Sequence, residues 1–378
     1  MIGPLIFVHR WLGVAFCLLF AMWFASGVVM HFVPYPSFTA ADRRAGLAPI
    51  ELARVKASPS QALATSGIGN SARVRLIQRS DGPVYLVSNS SRTVTLHAAD
   101  LSEAEVASAK LARAVASDYA ARRQWDSAAA GVAALQDYDQ WTLSGELDRY
   151  RPLYRVALSD PSGVDLYVSK ITGEVVQATT RCQRIWNYAG SVSHWIYVTA
   201  LRSHPTAWSG LLWWMSLFAS IGAALGAYVG ILRIRVQGSR LVSPYAGLHA
   251  WHHWIGLGCM LFVLTWIFSG WLSMDNGTLF STDKPSEKEI ATVAGALDWN
   301  AIPRDEAQHL DPRTIEAEWF AFGGHIYRRQ IYASGDQRLA IAEASAEEAI
   351  AFLDGEAIDA AARQLTPGCA RAISVGQY

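Results

Sequence analysis

The chain has 378 residues, zero formal net charge, 51% hydrophobic residues, 17% charged residues and 15 Trp. Without a basic excess there is no electrostatic case for a nucleic-acid partner. The apolar, tryptophan-rich composition suits an integral membrane protein with a sizeable soluble part, on a chain long enough for two or more units.

Residues 12–33 carry no charge and predict a first transmembrane helix. Its apolar core is too long for a secretory h-region and no A-x-A pattern follows, so an uncleaved anchor is expected. A hairpin then reads as Val84-Tyr-Leu-Val, a turn, and Thr93-Val-Thr-Leu. Ser102-x-x-Glu105 follows as a capping box opening an alanine-rich helix. From Asp137-Tyr-Asp the chain enters further strands at 153–158, 164–169 and 174–177. Turns are expected at Asp160-Pro-Ser-Gly163 and Thr172-Gly173. Trp186 and His194 precede an uncharged second span at 208–232, and a third span covers 254–274. Ile326-Tyr-Arg-Arg, a Gly335-Asp336 turn and Leu339-Ala-Ile-Ala form a last hairpin before Ser345-x-x-Glu348.

The expected organisation is a transmembrane helix in 1–33 and a soluble α+β domain in 34–185. An interfacial segment with the second transmembrane helix follows in 186–235, and the third helix in 244–274. Residues 275–378 form a second, incomplete α+β unit. Arg10, Arg233, Arg235 and Arg240 place the N-terminus and the loop after the second span on the cytoplasmic side. The soluble parts then lie outside, in the periplasm of a bacterium. Cys17 and Cys259 fall within helices, whereas Cys182 and Cys369 would face an oxidising compartment and could pair. The absence of C-x-x-C-H argues against covalent c-type haem.

The chain repeats itself. A shift of 243 positions carries His9, Trp11, Gly13, Leu18, Trp23, Ser26 and Gly27 onto His252, Trp254, Gly256, Leu261, Trp266, Ser269 and Gly270. Chance apolar similarity would match Leu and Val, not His, Trp, Ser and Gly at fixed spacing. The two hairpin-and-helix stretches repeat more loosely. The second half stops at Tyr378, about where the counterpart of Asp137-Tyr-Asp would begin. A longer product with a second hairpin and a fourth membrane helix is therefore expected.

Histidines carry the chemistry. His9 and His31 are 22 residues apart, which in a helix is about 33 Å of rise and roughly 40° of rotation. One helix thus offers an imidazole near each membrane surface on nearly one face, as two haems stacked across a bilayer require. That face also carries Gly13, Phe16, Phe20, Trp23 and Gly27; on the third span the matching face carries His252, Gly256, Trp266 and Gly270. Glycines one turn from a histidine admit a flat porphyrin, and aromatics fill the space between sites. His9 and His252, equivalent in the repeat, are the expected axial ligands of an inner haem, with His253 as the competitor. His31 with His194 is the expected outer pair. Met274, which stands where His31 stands in the repeat, and His204 are the alternatives. Arg202, Arg233 and Arg235 could meet haem propionates or be solvated charges and topology signals. Taken singly, a histidine at a helix end is often just interfacial, and a glycine–aromatic stripe is more often helix packing. Shared face, paired depth and repeat together favour haem. There are no paired acids, no nucleophile with its base, and no dinucleotide-binding glycine fingerprint.

Several motifs together carry a resemblance. They are His9-Arg-Trp-Leu-Gly, Ser26-Gly-Val-Val-Met-His-Phe-Val-Pro, Arg151-Pro-Leu-Tyr-Arg-Val, Leu166-Tyr-Val-Ser-x-x-Thr-Gly-Glu-Val, Trp251-His-His-Trp-Ile-Gly and Thr265-Trp-Ile-Phe-Ser-Gly. In these motifs, across nearly its whole length, the chain resembles the PepSY-associated transmembrane proteins, including the FoxB-type ferric-siderophore reductases. The resemblance implies a bacterial inner-membrane helical bundle with periplasmic PepSY-like α+β domains. It also implies two non-covalent b-type haems and electron transfer from a cytoplasmic or quinol donor to an Fe(III)-siderophore. Relatives often carry a fourth membrane helix. Two other readings stay open: a haem electron carrier serving another periplasmic enzyme, and a non-catalytic PepSY binding or regulatory protein.

Overall fold

The computed structural model describes residues 2–69, 72–126, 131–275, 285–343, 350, 353 and 355–365. In chain order the helices are α1 (Gly3–Phe32), α2 (Ala40–Arg44), α3 (Pro59–Ser66), α4 (Ala109–Arg122), α5 (Arg181–Asn187), α6 (Thr199–Arg202), α7 (Pro205–Leu232), α8 (Leu248–Ser273), α9 (Glu287–Ala294) and α10 (Gly355–Leu365). The strands are β1 (Arg73–Arg79), β2 (Gly82–Ser88), β3 (Thr93–His97), β4 (Gly131–Gln136), β5 (Leu153–Ala157), β6 (Asp165–Ser169), β7 (Val175–Thr179), β8 (Arg235–Gln237), β9 (Arg240–Val242), β10 (Thr314–Phe322), β11 (His325–Tyr332) and β12 (Gln337–Ile341). They divide into two compact units, Met1–Tyr35 with Ile185–Asp283, and Pro36–Arg184 with Lys284–Tyr378.

The first unit is helical. α1, α7 and α8 are 30, 28 and 26 residues long, with mean hydropathies of 2.2, 1.8 and 1.9, long and apolar enough to cross a membrane. α1 and α8 each pack on α7. Small residues make this possible. A Cβ on Gly222 would lie 3.4 Å from Leu12, and one on Gly230 would lie 3.0 Å from Leu257. α1 and α8 start earlier than the apolar runs predict. His9, Arg10 and His252 interrupt hydropathy, but backbone hydrogen bonding runs straight through them. Before α7 the chain makes a single π-helical turn over Tyr188–Val192, with Gly190 in a non-helical conformation. The turn packs on α1 so closely that a Cβ at Gly190 would come within 3.1 Å of Val29.

The second unit holds a six-stranded antiparallel sheet in the order β12-β11-β10-β1-β2-β3 and a four-stranded one in the order β4-β5-β6-β7. The offset of 243 that relates α1 to α8 also carries β1, β2, β3 and α4 onto β10, β11, β12 and α10 within a few residues at each end. The two stretches expected as separate units, 34–185 and 275–378, therefore share one sheet, joined where Leu76 of β1 faces Ala317 of β10. Its buried face carries Val74, Leu76, Tyr85, Val87, Trp319 and Ile326, covered by Val55, Ala62 and Leu63. A second core packs α4 (Ala112, Val115, Ala116, Tyr119) on Val156, Leu166 and Val168 of the smaller sheet.

One local expectation fails. Ser102 does not cap the alanine-rich helix: its backbone N–H and hydroxyl both donate to Asp100 Oδ1, and Glu103 pairs back onto Leu96. The helix starts later, where Ser108 accepts from the Leu111 N–H. The chain doubles back on the sheet edge first, so the first suitable hydroxyl serves a turn instead. The corresponding Ser345-x-x-Glu348 lies outside the described residues, as do Cys369 and the end of the chain at Tyr378. Cys182 is exposed.

A buried charge quartet ties the second unit together. Arg75 on β1 donates from Nε to Glu316 on β10 at 2.6 Å and from Nη2 to Glu174, in the β6–β7 turn, at 2.7 Å. Arg43 on α2 reaches both carboxylates, with Glu316 at 3.0 Å. The two glutamate side chains are 1% and 3% exposed, so each charge depends on its partners.

Candidate functional site

The helical unit brings predicted residues together at two levels. At the first, His9 on α1 and His252 on α8 face each other with ring centroids 6.3 Å apart and planes inclined by 35°. Two imidazoles bonded to opposite sides of one metal at about 2 Å place their centroids roughly 6 Å apart. His9 Nδ1 lies 3.0 Å from the Gly222 carbonyl oxygen of α7. A carbonyl only accepts, so Nδ1 is the donor, which in the neutral tautomer leaves Nε2 with its lone pair. α7 can come this close because residue 226 is glycine; a Cβ there would sit 2.5 Å from His9 Cε1. Gly13 and Gly256, one turn beyond the two histidines, have open space where a Cβ would point.

The competitor His253 is otherwise engaged. It is 7% exposed, donates from Nε2 to the Gly230 carbonyl at 2.8 Å, and accepts at Nδ1 from the Ser243 hydroxyl at 2.9 Å. One ring nitrogen ties α8 to α7 and the other to the segment that follows β9, so His253 serves packing.

At the second level the π-helical turn delivers His194 against α1. Its Nδ1 is 3.1 Å from the Trp23 carbonyl and 3.0 Å from Ser26 Oγ. Ser26 gives its own proton to the Met22 carbonyl at 2.6 Å and therefore accepts from His194. Trp23 Nε1 returns a bond to the His194 carbonyl at 2.9 Å. Again Nδ1 is the donor and Nε2 is left as acceptor. Partial burial lowers the His194 pKa below its ordinary value, against a smaller opposing effect of the Trp23 carbonyl, which favours the neutral ring. The ring lies over Gly27 of α1, where a Cβ would stand in ordinary contact 3.5 Å from His194 Cε1.

His194 lines a cavity of about 200 Å³ with Trp23, Trp266, Gly270 and Met274 among its walls. His31 does not line it; it is exposed at the end of α1 with its ring 5.1 Å from Phe32. His204, also exposed, has Nδ1 near Ser203 Oγ and the Ala200 carbonyl. The structure thus joins His194 to Met274 around one cavity and leaves His31 and His204 outside it. Between the two levels, Phe16, Phe20 and Trp23 form an aromatic run along α1 with centroid spacings of 6.4 and 6.2 Å.

Sequence reasoning missed Ser26 as a partner of His194, and it missed Gly222 and Gly226 of α7. The second omission had a visible signal: Gly222, Gly226 and Gly230 recur every fourth residue, the spacing of one face of a membrane helix. Imidazoles at His9 and His194 whose Nδ1 is engaged by backbone oxygens, with His252 facing His9 and with open space at Gly13 and Gly256, make a donor set that suits a low-spin haem iron. Comparison with protein-family models, curated proteins and solved structures returned no match.

Proposed function

We propose that this chain is a di-haem b-type membrane reductase of the PepSY-associated kind, passing electrons across the bilayer to a periplasmic Fe(III)-siderophore. The facing pair His9–His252, with the His9 tautomer fixed by the Gly222 carbonyl, is the observation that carries this reading. His9 and His252 would hold the inner haem. His194 would hold the outer one, with His31 or Met274 opposite. Gly13, Gly256 and Gly270 have open space where a Cβ would point and would leave room for the porphyrins, Gly27 is covered by His194, and Trp23 would pack between the levels. A haem held by these residues would supply one-electron transfer.

The chain's own part is positional. The Gly222, Trp23 and Ser26 oxygens hold two imidazoles in the tautomer that presents Nε2. The aromatic run lines the stretch of α1 between the levels with apolar surface. The arginines at 10, 233, 235 and 240 favour an inner-membrane orientation with a cytoplasmic N-terminus, and hence a periplasmic soluble domain. An Fe(III) chelate reduced there would release its metal, since hard siderophore oxygens hold Fe(II) weakly. The electron donor would be a quinol or a cytoplasmic reductant.

The test is a dithionite-reduced minus oxidised visible spectrum of the detergent-purified protein with haem quantified per chain, followed by a ferric-siderophore reduction assay. About two low-spin b-type haems per chain are expected, with the inner one lost in His9→Ala and in His252→Ala. Haem without ferric-siderophore reduction would favour a carrier serving another periplasmic enzyme. No haem after expression with ample haem supply would discard the redox reading in favour of a binding or regulatory role.

A further inference from the structure

The segment between α7 and α8 is a hairpin whose two faces differ in kind. β8 and β9 pair antiparallel with Arg235 opposite Val242, Val236 opposite Leu241 and Gln237 opposite Arg240, around a two-residue turn that starts at Gly238 with φ of +61°. Directly opposed residues point to the same side, and successive ones alternate. Val236 and Leu241 therefore share one face, and Arg235, Gln237, Arg240 and Val242 share the other. Val236 is 71% exposed and Leu241 61% exposed. Among the described residues neither strand belongs to a larger sheet. A lone two-stranded ribbon is marginal in water and needs a surface for its apolar face.

Position and charge say which surface. The hairpin begins three residues after α7 ends at Leu232, and α8 begins at Leu248, so spanning helices hold it at the membrane boundary from both sides. Exposed Tyr245 and Leu248 extend its apolar character. Residues 233–247 contain Arg233, Arg235 and Arg240 and no Asp or Glu. The headgroup layer is roughly 5–7 Å deep on each side of the hydrocarbon. A ribbon seated by its apolar face at the acyl boundary keeps its basic face within that layer, at the level of the phosphates.

We propose that this hairpin is an anionic-lipid docking element, with Val236 and Leu241 entering the interface and Arg235 and Arg240 binding lipid phosphates. The proposal rests on α7 and α8 spanning the bilayer and is independent of the haem reading. The test is hydrogen exchange of residues 233–247 in the full chain, in nanodiscs of phosphatidylcholine alone and with added phosphatidylglycerol. Each arginine near an anionic surface is worth roughly fivefold in lipid affinity, so two arginines predict exchange slowed roughly 25-fold by phosphatidylglycerol. Arg235→Ser with Arg240→Ser should abolish the lipid dependence. Val236→Ser with Leu241→Ser should abolish protection in both lipids, and Gln237→Ser should leave both unchanged. Equal protection in the two lipids would overturn the proposal. So would a hairpin unprotected in both nanodiscs that becomes protected only when a protein partner is added. Haem content plays no part in the readout, so loss of the haem reading would leave this result standing.

Discussion

Replacing Glu174 by glutamine should destabilise the soluble unit severely, and by an amount that depends on pH in a defined way. Burial alone would push the Glu174 carboxyl up, but the charges of Arg75 and Arg43 and their hydrogen bonds overcome this and hold it at about 2, against an ordinary 4.5. A shift of that size corresponds to about 3 kcal/mol of stability. Because the folded value is depressed, this stability is fully present above about pH 4.5 and is lost as pH falls toward 2. The substitution leaves Arg75 and Arg43 sharing Glu316 alone, and breaking one side of a buried pair costs about 3–5 kcal/mol. The two routes agree. At about 2–4 °C per kcal/mol for a domain of this size, the loss is on the order of 10 °C in Tm at pH 7. The assay is intrinsic tryptophan fluorescence melting of the full-length, detergent-solubilised chain at pH 7 and pH 3, since Trp299 and Trp319 sit in the core of this unit. The gap between parent and E174Q should narrow at pH 3. A variant melting within about 2 °C of the parent at pH 7, or a gap unchanged by pH, would refute the reasoning.

Three further substitutions separate packing from ligation. Gly226→Ala puts a Cβ 2.5 Å from His9 Cε1 and should displace that imidazole. The expected result is loss of one haem per chain in the reduced-minus-oxidised spectrum, with helical circular dichroism retained. Ser26→Ala removes one of two acceptors of the His194 Nδ1 proton, which should weaken haem binding at the second level about 10-fold or more in an apo-protein titration. His253→Ala removes the bonds to Gly230 and Ser243. It should cost about 1–3 kcal/mol, read as a lower Tm, while haem content stays at the parent level; haem loss in that variant would reverse the roles given to His252 and His253.

Much of the framework is legible residue by residue. Charge-free apolar runs predict the three long helices, turn residues bound strands such as 153–158, found at Leu153–Ala157, and the spacing of His9, Gly13, Trp23 and Gly27 recurs intact around His252. These are short-range signals, because helix and strand periodicity are properties of neighbouring residues. Boundaries were less legible where a polar residue ends hydropathy without ending hydrogen bonding, as at His9 and His252, or where a capping residue is claimed by a turn, as at Ser102. The encounters between distant segments belong to tertiary structure alone: β1 against β10, Arg75 between Glu174 and Glu316, and Gly226 beneath His9. The same holds for His194. Spacing on α1 points to His31, yet the π-helical turn at Gly190 rolls His194 over Gly27 and toward the cavity lined by Met274. Sequence determined which residues can lie on one face of one helix. Only the rotation and close packing of helices against each other decided which of those residues meet, because that depends on side-chain volumes brought together from opposite ends of the chain.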